Sequence, residues 1–150
     1  STGGDPFERG NNRPLDYGHW LAHKLEVMSN YEVKHGEAVA IGILVDARYS
    51  YEIGLFSKST LLRVIRLIDG LGFTLWHSSL DDLDETGELM IFQGLEEFRE
   101  HLGGELSVTL LKEIGVGVEV HEIDMKKMSS SLNWIKHNAK ISINTDAIAD

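Results

Sequence analysis

Apolar and polar positions follow a helical period along most of the chain. The pattern predicts a first helix over residues 16–29, a second over 34–54 and a third over 57–72. The second helix is apolar on nearly all sides, which is typical of a central, buried helix. One or two further helices are predicted over 81–104, and a last helix over 124–139.

The period changes from helical to alternating in one region near the C-terminus. The segments "ELSVTLL" and "VGVEVHEI" are rich in β-branched residues and meet at the glycine-containing "KEIGVG", which predicts a β-hairpin. Ser57 or Ser59 is expected to cap the third helix and Asp124 the last, while Gly54 ends the second. The predicted fold is mainly α, with several helices and one small hairpin.

Composition narrows the classes of partner and ligand. The 150 residues suit one domain, and the net charge of -10 argues against nucleic acid or an anionic membrane as a partner. The longest apolar run, residues 38–45, is too short to span a membrane. The chain has no cysteine, so a metal would be held by imidazole and carboxylate groups, and a cytoplasmic location is the default expectation.

Three parts of the chain are distinguished by composition. Residues 1–14 are rich in glycine and asparagine and contain both prolines, which predicts an irregular lead-in. Residues 15–140 form the predicted helical domain, and residues 141–150 a polar tail. The chain starts without methionine and without a signal peptide, so we expect a piece of a longer protein.

Histidines are the side chains that suggest chemistry. His19 and His23 are four residues apart and share one helix face, which is an arrangement of metal ligands. The pair lacks the glutamate of the zinc-protease pattern, and histidines also reach this spacing by chance. His35 begins the second helix, where the dipole is positive. Consecutive helices pack antiparallel, so spacing alone does not bring His19 and His35 together.

Two blocks of sequence carry a family resemblance. "RPLDYGHWLAHKLE" followed by "KHGEAVAIG" resembles the signature blocks "GHxxxHxxE" and "HGEAVAxG" of the 3-dehydroquinate synthase-like, or sugar-phosphate cyclase, family. Both blocks occur in the family's order with a comparable gap, and "GGELSVTLLKEIG" is similar to a later strand of that family. The resemblance implies a helical C-terminal metal-binding domain whose NAD-binding N-terminal domain lies outside this chain.

The resemblance also implies roles for particular residues. His19 and His35 would be ligands of a divalent metal, zinc in most of the family, with a glutamate outside this chain as the third ligand. His23 would lie against the substrate and take part in proton transfer. Arg13, Asp16 and Arg99 would bind the substrate, and Asp16 is equally suited to cap the first helix. Asp16 stands where the family usually has asparagine, and a carboxylate repels phosphate, which leaves the choice of sugar phosphate open.

The implied activity is that of a carbon-oxygen lyase. Bound NAD oxidises a hydroxyl of a sugar phosphate, phosphate is eliminated, the ketone is reduced again, and the product closes into a carbocycle. The alternatives are a cyclitol or valiolone type of cyclase, a related metal-dependent alcohol dehydrogenase, and a non-catalytic helical interaction module. The expected partners are the sugar phosphate, the chain's own N-terminal domain and, through the apolar hairpin, a second copy in a homodimer.

Overall fold

The structure, a computed structural model, describes the backbone of residues 19–101, 108–113 and 116–138. In these ranges the elements are α1 His19–Met28, α2 His35–Glu52, α3 Lys58–Asp69, α4 Gln93–His101, β1 Val108–Glu113, β2 Val116–Val120 and α5 Met125–Asn138. Two short 3-10 turns, Ser78–Asp81 and Met90–Phe92, lie between α3 and α4. The mainly helical class is confirmed, whereas the predicted lead-in and tail lie outside the described residues.

Helix α2 is the centre of the fold. Helices α1, α3 and α5 and strand β1 all pack against it. Five of its apolar side chains are completely buried, as its uniformly apolar sequence predicts: Ala38, Ile41, Leu44, Val45 and Ala47. No helix within the described ranges combines the length and the apolar character that crossing a bilayer requires.

Helices α1 and α2 run antiparallel, joined by a short link with a fixed backbone. The indole nitrogen of Trp20, near the start of α1, donates to Asp46 Oδ1 in the second half of α2 at 3.0 Å. At the end of α1, the N–H groups of Asn30 and Tyr31 donate to the carbonyls of Val27 and Glu26, which is a Schellman motif. The residues "SNYEV", between the first two predicted helices, therefore follow a hydrogen-bonded helix end.

The predicted caps and stop occur in the structure. The Ser57 hydroxyl accepts a hydrogen bond from Thr60 N–H at 3.1 Å, and Asp124 Oδ1 accepts one from Lys127 N–H at 3.2 Å. Gly54 follows α2 with φ of +87°, a conformation that glycine adopts without strain. These contacts satisfy backbone groups that the helix ends leave open.

The helix predicted from residue 81 onwards begins later than expected. Residues 82–89 form a turn closed by a bridge between Leu83 and Leu89. Asp84 Oδ1 accepts hydrogen bonds from the N–H groups of Thr86 and Glu88 at 2.8 and 3.1 Å. Such local bonds compete with helix formation. The Thr86 side chain and these N–H groups hold the pKa of Asp84 below its usual range.

Close packing places α4 against α1. A Cβ atom at Gly94 would lie 2.6 Å from the carbonyl oxygen of Trp20, so only glycine allows this approach. The Trp20 ring stacks on Phe92 at 6.1 Å between centroids, and Lys24 Nζ pairs with Glu97 at 2.7 Å. The start of α1 is therefore held between α2 and the segment around α4.

The β-hairpin is confirmed. Strands β1 and β2 pair antiparallel from Val108 opposite Val120 to Glu113 opposite Val116. The register shifts between Leu111 and Glu113, next to the residues that connect the strands. The last helix α5 follows and packs on α2, with Leu132 and Ile135 buried as its apolar stripe predicts.

Candidate functional site

One face of α1 carries the residues of the first sequence block. Positions 19, 23 and 26 are spaced i, i+4 and i+7, so they share a face over roughly 10 Å of helix axis. His19 is the first residue of α1, and its side chain lies outside the described part of the structure. The His23 side chain is exposed on this face. The metal and proton-transfer roles of these histidines stay predictions.

His35 occupies the end of α2 that meets this face. It is the first residue of α2, and its side chain is 75% exposed. Its Nδ1 donates to Glu26 Oε1 at 2.5 Å. No hydrogen bond from the described residues reaches Nε2, so this nitrogen is available to a ligand.

Glu26 matches the glutamate that ends the first family block, but no role was predicted for it from the sequence. Its carboxylate is only 15% exposed and is paired with His35. It lies three residues after His23 and seven after His19, on the same helix face. Its spacing from the two histidines was the signal that could have identified it.

A loop after α3 covers the first turn of α2. Glu37 Oε2 accepts a hydrogen bond from Thr74 N–H at 3.1 Å, and a Cβ atom at Gly36 would lie 3.4 Å from the Phe73 ring. This contact gives Glu37 a structural role beside the electrostatic one expected at a helix N-terminus. The loop thus lies next to His35 and forms one wall of the site.

A second carboxylate–imidazole pair lies close by in sequence. His77 Nε2 contacts Glu32 Oε1 at 2.9 Å, and His77 Nδ1 accepts from Ser79 N–H at 3.1 Å. Both nitrogens of this ring are bonded within the protein, unlike those of His35. These contacts give His77 a structural role.

The side chains of the remaining predicted site residues lie outside the described part of the structure. Arg13 and Asp16 lie outside the described residues, and Arg99 lies in α4 with a side chain outside the described ones. Among the described residues, no group of three or more histidine, cysteine or acidic side chains could hold a metal ion. That finding does not include the side chain of His19, so the metal-ligand prediction is neither confirmed nor contradicted.

Comparison with known proteins identifies the family. Residues 2–92 match the family described as 3-dehydroquinate synthase C-terminal. A 3-dehydroquinate synthase of Dehalococcoides mccartyi is 31% identical over 132 residues, covering 88% of this chain and 35% of that protein. A 2-epi-valiolone synthase of Stigmatella aurantiaca is 32% identical over 136 residues, covering 90% of this chain and 32% of that protein. The chain thus spans about a third of the length of these relatives.

Solved structures support the same fold. A 2-epi-5-epi-valiolone synthase from Streptomyces hygroscopicus subsp. jinggangensis, with NAD+ and Zn2+ bound, superposes with a TM-score of 0.69 at 22% identity. The match covers 89% of this chain and 36% of that one. A 2-deoxy-scyllo-inosose synthase superposes with a TM-score of 0.59 at 21% identity, covering 86% of this chain and 34% of that one. By the family match over most of its length, this chain belongs to the C-terminal domain family of 3-dehydroquinate synthase-like sugar-phosphate cyclases.

Proposed function

We propose that this chain is the metal- and substrate-binding part of an NAD-dependent sugar-phosphate cyclase. The observation that carries the proposal is the exposed ring of His35, which has one nitrogen held by Glu26 and the other available. Both residues belong to the two sequence blocks shared with the family. Residues 15–140 would form this part, and NAD would be bound mainly by an N-terminal domain outside the chain.

The donor atoms available here fit zinc. Two imidazoles, from His19 and His35, with a carboxylate from outside the chain would make a set of three protein ligands that leaves a position for substrate. A carboxylate that holds the far nitrogen of a ligating imidazole is the usual support of such a ligand. A bound divalent ion would supply Lewis-acid polarisation of the reacting oxygen.

Other residues of the chain would handle the substrate. His23, exposed one turn from His19, would move protons at the substrate, since imidazole exchanges protons near neutral pH. Arg13 and Arg99 would hold the anionic groups of the sugar phosphate. Asp16 would accept hydrogen bonds from substrate hydroxyls. NAD would carry the redox chemistry that precedes and follows phosphate loss.

The substrate class is a sugar phosphate whose phosphate leaves before ring closure. Relatives named 3-dehydroquinate synthase and 2-epi-valiolone synthase match with 31% and 32% identity, so identity favours neither substrate. The proposed reaction class, a carbon-oxygen lyase, is common to both. A panel of heptulose phosphates with and without a carboxylate group would separate the two types.

The test is metal content and phosphate release in the full-length protein that contains this chain. We expect about one zinc per chain, and loss of zinc in His19→Ala and in His35→Ala. His23→Ala should keep the metal while phosphate release with NAD falls by about 100-fold or more, as expected for a general acid or base. His137→Ala is the matched control, because His137 is exposed and, among the described residues, bonds to Asn133 O of its own helix.

Each alternative function gives a different result in this test. Retained metal in both ligand variants would overturn the ligand assignment and favour a non-catalytic helical module. Zinc-dependent NAD reduction without phosphate release would indicate an alcohol dehydrogenase instead of a cyclase. Phosphate release that survives in His23→Ala would remove His23 from the proton-transfer step.

A further inference from the structure

We infer that Glu26 is a positioning residue that fixes the tautomer and orientation of the His35 ring for metal binding. This inference rests on the proposed function, because it takes His35 as a ligand. Its starting point is the 2.5 Å contact between Glu26 Oε1 and His35 Nδ1. A carboxylate oxygen accepts this hydrogen bond from Nδ1–H, and in the neutral ring that tautomer leaves the lone pair on Nε2.

The burial of the two partners is unequal, and that asymmetry favours a supporting role. The Glu26 side chain is 15% exposed and the His35 side chain is 75% exposed. Exposed ion pairs contribute little to stability because solvent screens them and side-chain entropy opposes them. The contact of a largely buried carboxylate with an exposed ring is therefore better explained by a need to hold the ring in place for a ligand.

The backbone between the two residues fixes their separation. The carbonyl of Glu26 accepts from Tyr31 N–H at 2.8 Å, and the hydroxyl of Ser29 accepts from Val33 N–H at 3.2 Å. Ser29 is 4% exposed. Because both bonds tie the link to the end of α1, Glu26 and His35 keep their relative position without a ligand.

The pair formed by Glu32 and His77 is a structural carboxylate–imidazole contact with which Glu26 and His35 can be compared. His77 uses both ring nitrogens inside the protein, and its side chain is 24% exposed. Its partner Glu32 is 74% exposed. The order of burial is thus reversed relative to Glu26 and His35. Glu32 therefore offers a matched control with the same charge and the same type of contact.

The experiment measures zinc affinity of the full-length protein by competition with a chelator. We expect Glu26→Ala to weaken zinc binding by about 10- to 100-fold, the usual cost of removing such a partner. Glu26→Gln keeps an oxygen acceptor for Nδ1–H and should recover part of the affinity. Glu32→Ala, the control, should bind zinc as the unchanged protein does.

A spectroscopic measurement separates positioning from a general loss of structure. With Co2+ in place of zinc, Glu26→Gln should shift the visible absorption bands, because the ligating ring changes its basicity and orientation, whereas Glu32→Gln should not. The thermal unfolding of metal-free samples shows whether each variant is folded. If Glu26→Ala does not fold, the zinc affinity and Co2+ spectrum of Glu26→Gln decide whether Glu26 positions the His35 ring.

The outcomes distinguish this inference from the proposed function. If His35→Ala leaves zinc affinity unchanged, the ligand assignment and the proposed function fail together. If His35→Ala abolishes zinc binding but Glu26→Ala and Glu26→Gln behave like the Glu32 variants, only the positioning role is overturned.

Discussion

The two ends of α2 use polar side chains in opposite ways. At the N-terminal end, the ring of His35 is 75% exposed and bonds to Glu26 through one nitrogen. In the second half of the helix, Asp46 and Ser50 are completely buried. Asp46 accepts from the indole nitrogen of Trp20 at 3.0 Å, and the Ser50 hydroxyl donates to the Asp46 carbonyl at 2.8 Å.

Aromatic contacts extend the buried region toward α5. The Tyr49 hydroxyl accepts a hydrogen bond from Asp124 N–H at 2.9 Å. The guanidinium of Arg48 pairs with Glu52 at 2.7 Å and lies over the Trp134 ring at 4.8 Å. The Tyr49 and Arg48 contacts join α2 to α5 and the residue that caps it. Buried polar residues in this half of α2 are therefore structural.

The difference between the two ends shows what marks a candidate site in this chain. Burial of a polar group does not mark a site, because the more deeply buried polar groups of α2 lie in its structural second half. The distinguishing feature is an exposed ring whose hydrogen-bond partner is largely buried, as with His35 and Glu26. Substitutions at the two ends should separate stability from metal binding.

Asp46→Ala is the substitution with the largest expected effect on stability. It leaves the buried indole N–H of Trp20 without its acceptor, so the free energy of unfolding should fall by about 1–3 kcal/mol. Denaturant unfolding of the metal-free full-length protein measures this. Asp46→Asn is the control, because it keeps an oxygen for the indole and should lose less. Equal losses in both variants would contradict the assigned hydrogen bond.

Tyr49→Phe should have a smaller effect at neutral pH. It removes the hydroxyl that accepts from Asp124 N–H, and the loss should be about 0.5–1.5 kcal/mol in the free energy of unfolding. Because that bond fixes the start of α5, hydrogen exchange in the first turn of α5 should accelerate. Unchanged exchange there would argue that the contact does not hold α5.

The same side chain also predicts a dependence on alkaline pH. Burial, chiefly, raises the pKa of Tyr49 above its ordinary value of 10.0. Between that value and the raised one, the folded state binds more protons than the unfolded state, so stability falls as pH rises above 10. Tyr49→Phe should show a shallower fall. Tyr31→Phe, at an exposed tyrosine, should keep the fall of the unchanged protein.

Much of the fold follows from sequence because its signals are local. Helical periodicity identified α1, α2, α3 and α5, and the caps Ser57 and Asp124 were visible as residue types at fixed positions. The acidic stretch near Asp84 was predicted wrongly as helix. Its side chain bonds to following N–H groups, and that competing local structure has no distinct period.

The candidate site was less predictable because it depends on where two helices meet. Sequence blocks indicated His19, His23 and His35, but the partner of His35 was identified only once the backbone of the link was known. Glu26 approaches His35 because the chain reverses through left-handed conformations at Asn30 and Tyr31. Asparagine is common in such a conformation and tyrosine is not, so the sequence indicated the end of α1 but not the second left-handed residue that completes the reversal.

Substitution of Tyr31 tests that reversal and has the smallest expected effect. With φ of +63° and a side chain that is 61% exposed, Tyr31 sits in a strained conformation without a buried ring to compensate. Tyr31→Ala loses the ring and keeps the strain, whereas Tyr31→Gly loses both. The free energy of unfolding of the glycine variant should be up to about 1 kcal/mol higher than that of the alanine variant. Glycine relieves the backbone strain, but its greater freedom in the unfolded state offsets part of that gain. A glycine variant less stable than the alanine variant would show that the link does not adopt this backbone.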